Sequence, residues 1–263
     1  MRPVSDLKAI ARRRMSGHNK ILAGAAALTI LMIFTLNMAE TAIMIMGIDF
    51  RLIDSINDLL DAFSKPQTML MTYGLSLIIA LLSQLIITGF KRVCLIVARD
   101  IKPSLADLFF PFKYNPDKII IISFIVWVGS SAGSLTSLLG SGAGAGLAQG
   151  RVSGSVFFAG MLLEVVSAVI LVLVNSYMFA AYYIYLDYPE KPVSEIIRES
   201  IRLMRGNVLR LIYLTLTFVG WFVLVIFTYG IALIYVGPYL FTVYGLFYRD
   251  LKGELGNGFN SEA

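Results

Sequence analysis

The side chains able to do chemistry are few, and they sit in unusual places. Glu40, Gln84, Glu164 and Asn175 all lie inside long apolar runs. An ionisable group in hydrocarbon is costly enough to be a functional candidate by default. Counted along a helix at ~1.5 Å per residue, both glutamates fall roughly 10–12 Å from the same side of a bilayer, so their carboxyls can face each other across a bundle. A close carboxyl pair in a low-dielectric setting has at least one raised pKa, which suits proton-coupled transport. The competing reading is structural: each acid, like Gln84 and Asn175, hydrogen-bonds to a neighbouring helix, or Arg151 folds back on one of the acids. Pro238, within Gly237-Pro238-Tyr239, is a hinge candidate because its ring lacks an N–H and clashes with the preceding turn.

Other chemistries are disfavoured by simple counts. Cys94 is the only cysteine and His18 the only histidine. An internal disulfide is thereby excluded, and neither a zinc site nor a histidine-based triad is expected. Gly140-Ser-Gly-Ala-Gly-Ala-Gly146 lacks the lysine and the strand-to-helix setting of a phosphate loop and reads as an outer linker or gate. Upstream of it, Gly129-Ser-Ser-Ala-Gly133 has the small-xxx-small spacing of close helix contact. With no nucleophile elbow and no His-Glu-x-x-His motif, the chain is expected to be no enzyme and to hold no cofactor or metal.

The elements that position these residues are set by the solvent. Of 263 residues, 57% are hydrophobic and 15% charged, with mean hydropathy +0.77. A water-soluble fold would leave much of that surface exposed, so the solvent for most of the chain is lipid. Apolar runs extend over 21–46, 69–90, 119–139 and 156–186, each long enough for one crossing. The last stretch, Leu211 to Tyr248, is too long for one crossing and is split by Tyr229-Gly230 into 211–228 and 231–248. The predicted fold is all-α: a polytopic bundle of six membrane-spanning helices with short interfacial amphipathic helices, forming one integral membrane domain over 1–263.

Charge gives this bundle a direction. Lys and Arg number six before the first run, then two, six, one, five, none and two in the successive segments. Positive residues stay on the cytoplasmic side, so the alternation places both termini in the cytoplasm of a cell inner membrane. The same topology accounts for the net charge of +5 without nucleic acid. The first run is too long for a cleaved signal peptide.

Three basic segments with helical amphipathicity each precede a membrane hairpin, which points to an internal repeat. In the clearest, Ser194 is the expected cap, Arg198, Arg202 and Arg205 share one face with Glu195 and Glu199, and Ile197, Ile201 and Met204 share another. Near the N-terminus Val4, Leu7, Ile10 and Ala11 oppose Lys8, Arg12 and Arg13, and in the second loop Ser104 and Asp107 make a capping box. Such helices anchor hairpins in the interface, contact anionic lipid headgroups or dock a membrane-protein partner. Tyr177, Tyr182, Tyr183, Tyr185 and Tyr188, with Tyr244 and Tyr248, suit an interfacial aromatic belt.

The string Glu199-Ser-Ile-Arg-Leu-Met-Arg-Gly-Asn207, followed by Leu216-Thr-Phe-Val-Gly-Trp221, Thr228-Tyr-Gly-Ile231, Gly237-Pro-Tyr239 and Phe247-Tyr248, resembles the bacterial membrane-protein family known as domain of unknown function 975. Leu7-Lys-Ala-Ile-Ala-Arg resembles that family's opening. The chain departs from the pattern in its long Gly/Ser loop and at Val219 and Tyr229. The resemblance implies a multi-helix integral membrane protein with no assigned activity. The expectation is therefore a non-enzymatic envelope scaffold, and the alternative is a transporter or channel for a small solute, proton or lipid that uses Glu40 and Glu164.

Overall fold

The structure, a computed structural model, describes residues 2–46, 66–130 and 154–255. All regular elements among them are helical. They are α1 (Val4–Met15), α2 (Asn19–Met46), α3 (Pro66–Ala98), a 3₁₀ turn (Leu105–Phe109) running into α4 (Phe110–Lys113), α5 (116–130), α6 (Gly154–Asp187), α7 (Val193–Met204), α8 (Val208–Leu216), α9 (Val219–Phe227) and α10 (Leu233–Leu251). Four stretches, Asn19–Met46, Leu70–Ala98, Gly154–Asp187 and Val208–Phe227, are long and apolar enough to cross a membrane. The expected run 119–139 is described only to residue 130. Its remainder, the Gly140 to Gly146 loop and Arg151 lie outside the described residues. The expected run 231–248 is helical from Leu233 as α10, whose last turn holds Arg249 and Asp250 and which is not among the four.

Two boundaries differ from the sequence expectation. Helix α3 does not stop at Phe90 but continues to Ala98, because Lys91 and Arg92 fold onto protein: the Lys91 ammonium lies 3.8 Å from the Tyr182 ring centroid and the Arg92 guanidinium 3.4 Å from that of Phe110. The run 211–228 is broken at Thr217-Phe218. There the Lys8 ammonium donates to the Thr217 carbonyl and lies over the fully buried Phe218 ring. Burial, then the neighbouring Arg12 charge, lower the Lys8 pKa below its ordinary value. The hairpin at Tyr229-Gly230 forms as expected, both residues having positive φ.

The amphipathic segments pack against the bundle itself. Helix α1 buries Val4, Leu7, Ala11 and Met15, and Arg12 Nε donates to the Tyr239 hydroxyl of α10 at 3.2 Å. The Ser104 and Asp107 capping box is present, around a 3₁₀ turn. Helix α7 starts at Val193 after Pro192, so Ser194 is inside the helix and caps nothing. Its packed face is Ile196, Ser200 and Met204, and Ser200 Oγ donates to the Tyr177 carbonyl at 2.6 Å. Ile197 is half-buried and Ile201 exposed, one residue round from the packed stripe. Similar local contacts follow Met15 and Met204: His18 Nδ1 lies 3.3 Å from the Arg14 carbonyl and Asn207 Nδ2 donates to the Leu203 carbonyl at 3.1 Å.

Basic residues at this end close helix termini. The last carbonyls of a helix lack partners and carry partial negative charge. Arg14 and Arg249 both donate to the Ala98 carbonyl at the end of α3. Just beyond α6, the Pro189 carbonyl accepts from Asn115 and Lys118. Asp187, nearly fully buried, binds Arg99, Lys252 and the Tyr248 hydroxyl, and Asp250 joins Arg210 to the Arg2 amide. The aromatic belt is corrected here: Tyr182, Tyr183, Tyr185 and Tyr248 are buried core, with Tyr183 stacked on Tyr248 at 5.3 Å. Their bulk fills the space where α3, α6 and α10 converge.

Candidate functional site

Helices α3 and α6 run in the same direction, as their contacts advance together: Lys91 meets Tyr182, Arg92 donates to the Leu186 carbonyl, and Arg99 pairs with Asp187. Phe90 and Gly245 bring α10 against α3. Phe90 packs edge-on against Phe241, and a Cβ on Gly245 would lie 3.3 Å from the Ala98 Cβ. Between α3, α6, α8 and α10 this arrangement leaves a cavity of about 470 Å³. Small-molecule sites span ~300–1,000 Å³, so it is large enough for a ligand.

Its wall is apolar with a few polar groups. Leu171, Val172 and Phe179 of α6, Leu211, Ile212 and Leu216 of α8, and Phe241 of α10 supply the hydrocarbon surface. Gln84 and Lys91 come from α3, Asn175, Ser176 and Tyr182 from α6, and Thr215 and Tyr244 from the far wall, where their hydroxyls lie 2.9 Å apart. The polar side chains fall at two levels. Gln84 and Lys91 are seven residues apart, as are Asn175 and Tyr182, a rise of about 10 Å along each helix. Lys91 is thus at one end of the cavity and the two amides are at the other. Leu171, Val172 and Leu216 on the rim are exposed, which gives the cavity an apolar mouth on the flank of the bundle.

Two features of these polar groups stand out. Gln84 Oε1 is buried without a hydrogen-bond partner among the described residues, a state that buried polar atoms rarely tolerate. Among the described residues no carboxylate comes within ion-pair distance of the Lys91 ammonium. Its contact with the Tyr182 ring orients the charge without neutralising it. Asn175, in contrast, donates to the Leu171 carbonyl at 2.8 Å and to Ser130 of α5 at 3.4 Å, so it also ties two helices together. Next to it a Cβ on Gly129 would meet Val174 at 3.0 Å, the close approach expected of the small-residue spacing.

Of the sequence candidates, Gln84 and Asn175 are therefore brought to one cavity. Glu40 lies elsewhere, as acceptor of a hydrogen bond from Ser76 of α3, and Glu164 is exposed on the surface of α6. Neither glutamate lines the cavity. Pro238 is buried within the continuous helix α10. Arg198 and Arg202 on α7 and Arg205 just after it are exposed. Among the described residues no three His, Cys, Asp or Glu side chains gather as metal ligands. Lys91 was missed as a site residue because, directly after an apolar run, a lysine reads as a topology signal. Its position one heptad from Gln84 was the available clue.

The model of the family described as "Protein of unknown function (DUF975)" matches residues 1–254. None of the curated proteins and none of the solved structures matches the chain. The match covers every described helix, from α1 to the end of α10, and the chain belongs to this family of proteins of unknown function.

Proposed function

We propose that the protein is a non-enzymatic integral membrane protein that binds a lipid-like amphiphile within its helical bundle and handles it there by transport or presentation. In this reading the chain crosses a bacterial inner membrane six times with both termini in the cytoplasm, and the basic end with its ion pairs faces the cytoplasm. The observation that carries it is the cavity of about 470 Å³, apolar in its walls and mouth but holding the orphan Gln84 acceptor. A water-soluble ligand would meet too few polar partners there, and a pure hydrocarbon would leave Gln84 and Lys91 unused. The apolar mouth, on a flank bathed by lipid, favours entry from the bilayer.

The test is native purification followed by lipid extraction. Wild-type protein is expected to retain a defined amphiphile. Ile212→Trp, which places an indole in the cavity, is expected to lose it while eluting as the same monodisperse species. Equal retention by both proteins would overturn the proposal.

A second reading, an envelope scaffold, is favoured by the stripe of Arg198, Arg202 and Arg205. Among the described residues these make no ion pair with a carboxylate. An exposed cationic stripe next to Ile201 suits anionic headgroups or an acidic face of a membrane-protein partner. Replacing the three arginines with glutamine is expected to release such a partner from co-purification, and an unchanged set of bound proteins would remove the scaffold reading.

A further inference from the structure

We infer that the cavity selects an amphiphile with an anionic head, held at Lys91, whose apolar chain runs past Ile212 and Leu171 toward the mouth. This rests on the amphiphile-binding reading above and adds the head chemistry and the ligand's direction.

The basic neighbours of Lys91 have carboxylate partners. Arg92 has Asp107 at 3.6 Å, Arg99 and Lys252 share Asp187, and Arg210 has Asp250. Lys91, one residue before Arg92 on the same helix, turns into the cavity and has a ring face instead of a carboxylate. An ammonium carries three donors, and the Tyr182 contact satisfies none of them as a hydrogen bond. A carboxylate or phosphate arriving from the apolar mouth is the group that completes this site, because a charge-assisted hydrogen bond in a low-dielectric wall is stronger than a neutral one. The Thr215 and Tyr244 hydroxyls line the same cavity and add neutral hydrogen-bonding capacity. A cationic head would be repelled by Lys91. A zwitterionic head would bring its own cation beside it.

Direction follows from the level of each group. Lys91 lies toward the basic end, with Arg92 and Arg99 beyond it, whereas Leu171 and Val172 lie at the opposite end beside Asn175. An anionic head therefore rests where headgroups of that leaflet lie, and the chain points into hydrocarbon. The ligand can thus enter sideways without reversing its orientation in the bilayer.

The experiment uses the full chain in phosphatidylcholine nanodiscs and two probes, a long-chain fatty acid with a fluorescent group at its tail and the methyl ester of the same molecule. Wild-type protein is expected to bind the acid about tenfold more tightly than the ester. Lys91→Gln is expected to abolish that preference, so that acid and ester bind alike, and Lys91→Arg to restore it. Displacement of the acid by phosphatidylglycerol identifies a bilayer lipid as the natural source, and displacement only by free single-chain acids identifies a free amphiphile; both support the anionic head. Equal binding of acid and ester by wild type, with both lost in Ile212→Trp, would overturn the head assignment and leave the cavity reading standing. Probe binding indifferent to Ile212→Trp would overturn both.

Discussion

The two ends of the bundle are built differently, and helix α6 shows it within one element. From Ala180 to Leu186 every residue is buried, whereas Val156, Phe158, Met161, Leu162, Val165 and Val166 toward its start are exposed. Helix α3 repeats the gradient, from exposed Leu70 and Tyr73 to buried Val93, Cys94 and Val97. At the basic end, amphipathic α1 and α7, the capped 3₁₀ turn and two buried aspartates lock the helices together. Among the described residues at the other end, apolar side chains face outward. A protein in lipid has no hydrophobic drive to bury leucine and valine, so close packing, hydrogen bonds and ion pairs decide where helices associate. Close packing and the polar side chains Lys91 and Tyr182 are therefore both concentrated at the basic end, and the cavity lies where the packed region begins to open.

Paired substitutions on one helix put this contrast to its hardest test. A Cβ on Gly89 would lie 1.8 Å from the Leu108 carbonyl oxygen, whereas one on Gly74 would meet nothing within 4 Å among the described residues. Gly89→Ala must push the 3₁₀ turn off α3, at a cost of about 3 kcal/mol or more. Gly74→Ala should be neutral or stabilise by up to ~1 kcal/mol through helix propensity. Thermal melts of the two variants in the same detergent check this, and similar melting shifts would erase the difference between the ends.

The carboxylates give a second, smaller contrast. Asp187 accepts from Arg99, Lys252 and Tyr248 and is nearly fully buried. Asp187→Asn leaves two cations without their anion and should cost about 2–3 kcal/mol, less than a fully buried pair because Arg99 is about one-third exposed. Glu164 is exposed, and Glu164→Gln should change stability by less than about 0.5 kcal/mol. If Glu164→Gln were the more damaging, Glu164 would have a partner at the far end and the carboxylate hypothesis would regain force.

The same asymmetry explains which parts of the fold were legible in the sequence. Long helices were readable because a continuous apolar run in lipid has no alternative: 21–46 became Asn19–Met46 and 156–186 became Gly154–Asp187. The misreadings lie at the packed end, where tertiary contacts override hydropathy. Lys91 and Arg92 look like the edge of the membrane, yet Tyr182 and Phe110 carry the helix two turns past them. Thr217 and Phe218 do not look like helix breakers, and the break is held by Lys8, about 200 residues away in sequence. The tyrosines have one amphipathic chemistry that suits an interface and a hydrogen-bonded core equally well. For the site, polarity inside apolar runs led to Gln84 and Asn175 but ranked Glu40 and Glu164 above them, because a charge-based rule cannot see which helix faces converge.

Surface charge at the basic end supplies the smallest expected effect and separates solvated pairs from the buried ones. Lys191 donates to Glu199 at 2.7 Å, with Glu195 at 3.7 Å, and the hydrogen bond to Glu199 raises its pKa above the ordinary 10.5. The folded chain therefore holds this proton more tightly than the unfolded chain. The stabilisation is fully present below pH 10.5 and is lost as pH rises through the raised value, because the unfolded state releases its proton first. Lys191→Met should lower the melting temperature slightly near neutral pH, and the gap from wild type should close in that alkaline window. Salt should shrink it too, since exposed pairs are screened. A gap that survives both high pH and high salt would show that Lys191 acts through its packing on Tyr188, 4.5 Å away, and not through its charge.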